Sequence, residues 1–155
     1  MQNQIRASQE QLVLGMALID YLKTNNSFGF WSSLCSESQG FIKGIFAEEE
    51  GVLEKIKSQE VTQQNFYLEP YVNIIVSAVR EKVKEYLTDY AISNQVIVKD
   101  DLHVTLKLSP NIKTTVHYIA ETVQDFFLVP LVYELDTREH GSWKIDYIRL
   151  YKQVV

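Results

Sequence analysis

The spacing of hydrophobic positions changes near residue 95. Residues 8 to 94 carry apolar side chains three and four positions apart, the period of a helix, whereas residues 96 to 152 largely alternate apolar and polar, the period of a strand. Helices followed by such strands predict an α+β fold with N-terminal helices packed on one face of a curved antiparallel sheet. Repeats, linkers and low-complexity stretches are absent from the sequence, so residues 1–155 read as one domain with a helical part (8–94) and a mainly β part (95–153).

Ser8-Gln9-Glu10-Gln11 has the form of a capping box, and Leu12, Gly15, Met16, Ile19 and Leu22 follow at helical spacing. Thr24-Asn25-Asn26 should stop this helix, because short polar side chains compete with the backbone. Ser27 then opens a short helix expected to bury Phe28, Trp31 and Leu34. A second long helix is expected from after Ser38 to about Ser58, with Ile42, Ile45, Phe46, Val52, Leu53 and Ile56 on its apolar face. Gly40, Gly44, Ala47 and Gly51 form a ridge of small residues opposite. Either another helix, a partner or a ligand approaches that ridge closely, or the helix is frayed or broken at Gly44 or Gly51.

Glu69-Pro70 suits a helix start. The stripe Val72, Ile75, Val76, Val79, Val83, Tyr86, Leu87 and Tyr90 predicts a helix from 70 to 94, buried on most sides in its first half, where Tyr71, Ile74 and Ala78 add to the apolar surface. Strands 96–98 and 102–108 flank a hairpin turn at Lys99-Asp100-Asp101, with Leu102, Val104, Leu106 and Leu108 on one face and His103, Thr105 and Lys107 on the other. Residues 110–127 fit a helix by spacing, but their β-branched content tips the reading towards strand. Leu128 to Leu135 reads as a strand whose Pro130 implies an edge or a bulge. Trp143, Ile145 and Tyr147 alternate in the last strand. Ile148 and Leu150 take the other parity, which implies either two covered faces or a bulge.

From these patterns the helical side of the core should hold Leu18, Ile19, Leu22, Trp31, Ile45, Phe46, Leu53, Ile75, Val76, Val79 and Val83. The sheet should add Val104, Leu106, Leu131, Tyr133, Ile145 and Tyr147.

The net charge of -5 argues against broad nucleic-acid binding, which needs Lys and Arg to displace counterions from phosphates. Cys35 is the one cysteine, which excludes an internal disulfide and fits a reducing compartment. The apolar run Leu12 to Ile19 is far shorter than the roughly 20 residues of a membrane span, and no small-residue cleavage site follows it. A soluble cytoplasmic protein without a membrane span is the expectation.

The three histidines, His103, His117 and His140, show no metal-ligand spacing, and no second cysteine could complete a zinc set. No metal site or cofactor is expected. His103 and His117 share the polar parity of the sheet and could form an acid/base group with Glu121; the plainer alternative is that both face solvent. Cys35 reads as a small buried hydrophobe. Glu48-Glu49-Glu50 spreads around a helix axis and reads as solvated, and Asp100-Asp101 is a turn signal rather than a cation loop. Tyrosines 67, 71, 118, 133, 147 and 151 combine apolar area with a polar tip, suited to interfaces, pocket linings or an ordinary core.

The segment Val132-Tyr133-Glu134-Leu135 through Gly141-Ser142-Trp143-Lys144-Ile145-Asp146-Tyr147-Ile148 resembles the closing hairpin of the nuclear-transport-factor-like (cystatin-like) domains, in which a glycine turn precedes a Trp-Lys-Ile strand. Gln11 to Leu22 with Phe30-Trp31-Ser32-Ser33-Leu34 is similar to their opening helices. The likeness covers about a third of the chain, and the helix directly before the strands departs from their usual order. It implies either a small hydrophobic ligand held between helix and sheet, or dimerisation through the sheet. It carries no catalytic residues across.

Two functions follow as expectations. The first is a non-enzymatic protein-binding or accessory module acting through its sheet face. The second is a small-molecule pocket protein or enzyme with a cavity between helix 70–94 and the sheet, holding His103 or His117 with Glu121. Under the first, Trp143, Tyr147, Ile148 and Leu150 meet another protein or a second copy of the chain, with the Gly40/Gly44/Gly51 ridge as the next surface. Ile148→Asp should then weaken association with little loss of monomer fold. Light scattering checks this, and a wild-type monomer at high micromolar concentration would rule out the homodimer.

Overall fold

A computed structural model describes residues 3–110, 127–135 and 140–154. Its elements in chain order are β1 (Asn3–Arg6), α1 (Gln9–Thr24), α2 (Ser27–Ser32), α3 (Ser36–Phe46), α4 (Val52–Ser58) and α5 (Glu69–Lys82). A 3₁₀ turn (Lys84–Tyr86), β2 (Tyr90–Asp100), β3 (His103–Pro110), β4 (Phe127–Leu135), β5 (Gly141–Ile145) and α6 (Tyr147–Val154) complete them. The sheet runs β1-β2-β3-β4-β5, each strand antiparallel to the next, curved but not closed. The α+β class and the helices packed against a curved antiparallel sheet are as the periodicity predicts. The question of strand or helix at 110–127 falls on 111–126, outside the described residues.

The capping box at Ser8 forms in full. Ser8 Oγ accepts from the Gln11 N–H (3.2 Å), and Gln11 Oε1 accepts from the Ser8 N–H (2.9 Å). At its other end α1 stops at Asn25, whose left-handed backbone lets its N–H reach the Tyr21 carbonyl. The buried face of α1 is Gln11, Gly15, Leu18, Ile19 and Leu22, so Met16, expected in the stripe, is 44% exposed. The helix is rotated because α1 lies directly on the sheet: a Cβ at Gly15 would collide with Leu106 Cδ2 and stand 3.5 Å from Ile92 Cδ1. The same face and its flanks meet α2 and α5, while the outer side of α1, with Val13, Asp20 and Thr24, is exposed.

The long helix expected over 38–58 is two helices. The chain turns at Glu49–Gly51, and Gly51 adopts φ +80°, a left-handed value that favours glycine, so the alternative of a break at Gly51 holds. Gly51 thereby leaves the ridge of Gly40 and Gly44. Among the described residues no atom outside the local backbone lies within 4 Å of a Cβ built on any of the three, so no described element packs against the ridge. The break also swings Ile45 (45%) and Leu53 (41%) out of the core in which they were expected. Phe46 is half-buried, stacked on Tyr71 at 4.9 Å.

Pro70 sits at the start of α5, and its valine stripe is buried through Val83, Tyr86 and Leu87. Two expectations fail here. Ile74 is 62% exposed, so the first half of the helix is covered on one side only. The helix also ends at Lys82 rather than near 94, because Tyr90, Ala91 and Ile92 pair with Pro110, Ser109 and Leu108 as strand β2. Packing on a neighbouring strand overrides a stripe that fits either element.

The concave face of the sheet is built from rows of apolar residues in register: Val98, Val104, Leu131 and Ile145, then Val96, Leu106 and Val129, then Leu108 and Phe127. Leu102, expected on this face, instead lies in the hairpin turn and is exposed. Pro130 is in a strand with neighbours on both sides. Its carbonyl accepts from the Asp146 N–H (2.9 Å), past the last β4–β5 pair at Leu131–Ile145, so its nitrogen also faces the side where β5 has ended. The parity change after Tyr147 is neither a bulge nor a second covered face. The chain becomes helix α6, in which Tyr147 and Leu150 share the buried side.

The sheet edges are treated unequally. On β5, the Ile145 N–H donates to Ser33 O (2.9 Å) and Ile145 O accepts from the Cys35 N–H (3.0 Å), so the segment after α2 covers that edge. The chain entering α1 links distant strands: the Ala7 N–H donates to Asn94 O on β2 (2.8 Å), and three residues later Glu10 Oε2 accepts from the Trp143 N–H on β5 (3.2 Å). β1, which periodicity did not reveal, is exposed throughout.

The glycines should respond to substitution with opposite signs. Gly15→Val should cost about 1–3 kcal/mol by overpacking against Leu106. Gly44→Ala, in open space within α3, should add about 1 kcal/mol. Chemical denaturation midpoints separate the two, and equal effects would contradict the packing of α1.

Candidate functional site

Elements far apart in sequence set the predicted site residues in unrelated places. His103 lies at the base of the β2–β3 hairpin, and its Nδ1 is 2.8 Å from Asp100 Oδ1. That contact holds the Asp100 carboxyl below the usual carboxylate range, helped by the Leu102 N–H (2.9 Å). The pair fastens a turn and faces none of the three grooves described below. His117 and Glu121 lie outside the described residues. Among the described residues no cluster of His, Cys, Asp and Glu could hold a metal ion, and no helix is long and apolar enough to cross a membrane.

The expected partner surface at the C-terminus is divided as well. Leu150 and Tyr147 are in the core; Ile148 and Trp143 are half-buried. Trp143 packs edge-on against Tyr133 (5.4 Å). The Tyr147 N–H donates to the buried Ser38 Oγ (2.8 Å), and its ring sits among Phe30, Phe41 and Tyr151. Burial, with the Tyr151 phenol adding to it, pushes the Tyr147 hydroxyl up to about 12. Cys35 is buried as expected, its sulfur 3.1 Å from Ser38 Oγ. Gly40 and Gly44 are exposed on α3, and Gly51 leads into α4. By alternation the sheet face away from α1 carries, among the described residues, Ile97, His103, Thr105, Lys107, Leu128 and Val132, a mixture of apolar and polar groups.

The concave surfaces lie on the helical layer. A groove of about 670 Å³ runs between α2, α3 and the segment after α4, lined by Phe28, Trp31, Gln39, Lys43, Ile56 and Val61 among others. A second, of about 650 Å³, lies between α2 and α5, with Asn25, Asn26, Gln63, Phe66, Asn73 and Arg80 in its walls. A third, of about 580 Å³, carries Lys23, Ser77, Arg80, Glu81, Lys84 and Leu87. The first two share Phe28, and the last two share Ser77 and Arg80. Together they form one open trough across the helices. Phe28 and Phe66, edge to face at 5.3 Å, stand where the first two grooves meet, with Trp31 at 6.3 Å from Phe66.

Local sequence explains the middle of the trough. Asn25 ends α1 and Asn26 caps α2, its Oδ1 accepting from the Gly29 N–H (2.9 Å), so two carboxamides project from a tight elbow. Across from them α5 offers Glu69, Asn73, Ser77 and Arg80, a polar row that flanks its valine stripe. Asn25 Oδ1 accepts from Arg80 Nη1 (3.1 Å), and the Ser27 hydroxyl meets Asn73 Oδ1. Backbone and guanidinium N–H groups thus fix the Asn25 and Asn26 oxygens, which leaves their NH₂ groups to donate to a ligand. This part of the site escaped the sequence reading, which took Asn25-Asn26 only as a helix stop. The polar row Glu69, Asn73, Ser77, Arg80 was the available signal.

The Tyr147 hydroxyl gives a pH test of the core around α6. A folded value raised above the free phenol's roughly 10 means that the folded state favours the neutral form. Its contribution to stability is complete below about 10 and lost as pH rises through about 12. Tyr147→Phe should remove the last step of an absorbance titration of the tyrosines and make thermal stability fall less steeply at alkaline pH. Comparison of the chain with known protein families, with curated proteins and with solved structures finds no match.

Proposed function

We propose that the chain is a non-enzymatic protein-binding module, an accessory or assembly part, that holds a segment of another protein in the trough across its helical layer. The observation that carries this reading is the trough itself: three adjoining grooves, open to solvent, lying over a filled interior. The rival reading needs a cavity between α5 and the sheet; against it, Leu18, Ile19 and Leu22 of α1 and Val76 and Val79 of α5 pack at or near zero exposure among the described residues. This reading sets the binding surface on the helices instead of the sheet; supporting it, the described residues of the outer sheet face are mixed in character, and Leu150 and Tyr147 are interior.

A reducing, cytoplasmic setting belongs to the same proposal and suits the lone, buried Cys35. So does the resemblance to the nuclear-transport-factor-like domains, which rests on the sequence of the closing hairpin and the opening helices. The partner is a different protein or a second copy of this chain.

Affinity capture from the producing cells, read by quantitative mass spectrometry, tests the trough. Val61→Glu should lower recovery of the partner about tenfold, roughly 1.4 kcal/mol of binding. Leu135→Glu, on an exposed position of β4, should leave it unchanged. Equal recovery by both variants, or a co-purified small molecule with no protein partner, would overturn the proposal.

A further inference from the structure

We propose that the trough takes an extended, acidic peptide segment in one orientation: an apolar anchor at Phe28 and Trp31, and a carboxylate at Lys23 and Arg80. This rests on the protein-binding reading and assigns the chemistry of the partner.

The three grooves differ in what they offer. The first sets the half-buried Phe28, Ile56 and Val61, with the buried Trp31 behind them, inside a polar rim that includes Lys43, Lys57 and Glu60, so a large side chain of a partner has an apolar patch to cover. The third is basic. Lys23, Arg80 and Lys84 line it against one acid, Glu81, which is already paired with Lys84 at 2.9 Å. In a chain with a net charge of -5 this is a local reversal of sign. Arg80 carries a planar fork of donors suited to a carboxylate, and Lys23 adds a second positive charge.

The groove between them selects backbone conformation. Its Asn25 and Asn26 carboxamides have their oxygens engaged within the protein and present NH₂ donors. A helical ligand has few carbonyls left for such donors, since its own N–H groups occupy them; an extended segment keeps its carbonyls available. Glu69 and Arg80 both line this groove, eleven residues apart on α5, or about 16 Å at 1.5 Å per residue. An extended chain covers that length in about five residues. Their charges also orient the ligand, because Glu69 repels an acidic group at the end where Arg80 is absent. A single-stranded nucleic acid could use the same aromatic and basic groups, but Glu60, Glu69 and Glu81 along the walls oppose a polymer charged at every unit.

The test uses the full chain and a displayed library of random peptides about ten residues long, enough to cover the trough. Enriched peptides should carry an aromatic or large aliphatic residue followed or preceded, a few positions away, by Asp or Glu. An enriched peptide, synthesised with a fluorescent label, should lose about tenfold in affinity on Arg80→Gln or Lys23→Glu. Replacing its acid by the amide should cost as much in the native chain and little in the Arg80→Gln variant. Because Arg80 also holds Asn25, the exposed Lys23→Glu variant guards against a mere folding defect, with circular dichroism to confirm the fold.

No enrichment, enrichment of basic or uncharged peptides, binding indifferent to both variants, or displacement by a labelled single-stranded oligonucleotide would overturn the proposal. In each case the broader protein-binding reading stands if the captured partner still depends on Val61. If capture fails while acidic peptides bind and respond to Arg80, the broader reading lacks its partner while the chemistry of the trough holds.

Discussion

The fold depends on one close approach, α1 against the concave face of the sheet at Gly15. A side chain there would have to share space with Leu106, so the glycine lets the helix axis come down onto β2 and β3. Once it does, Leu18, Ile19 and Leu22, on the same face as Gly15, are enclosed by the sheet and by the flanking α2 and α5. Burial of that kind is the dominant favourable term in folding. Among the described residues the grooves of the helical layer lie outside this core, along α2, α3 and α5.

Much of this architecture is legible in the sequence where local and tertiary preferences agree. The Ser8 capping box, the valine stripe of α5 and the strict alternation of Val104, Leu106 and Leu108 each specify an element that packing then keeps. Legibility fails where one pattern serves two structures. Tyr86, Leu87 and Tyr90 continue a helical stripe, yet Tyr90 belongs to β2. Ile148 and Leu150 look like a strand with switched parity and are in fact one turn of a helix. Short strands with little hydrophobic content, such as Asn3–Arg6, leave no periodic trace at all.

The trough was illegible for a different reason. Its walls come from the end of α1, the start of α2, the polar row of α5 and the connection after α4, none of which is unusual by itself. Asn25 and Asn26 read as a stop signal and do stop the helix; their second role exists only because α5 lies opposite. Site chemistry assembled from capping residues is invisible to any reading that assigns each residue a single purpose. The histidines misled in the opposite sense, since His103 has a local task beside Asp100 that accounts for it.

The covering of the β5 edge also dictates the order in which the molecule can be completed in time. The segment Ser33–Cys35 and Glu10 bond to residues 143 and 145, more than a hundred positions later in the chain. A ribosome releasing this protein therefore presents the helices long before the strand that secures them exists. A local element such as α1 can form early, but its bonds to β5 cannot form until residues 143–145 arrive, and contacts of such long sequence separation slow folding. The nascent helices must wait with their apolar faces open, a period in which a chaperone, or an unintended neighbour, has access to them.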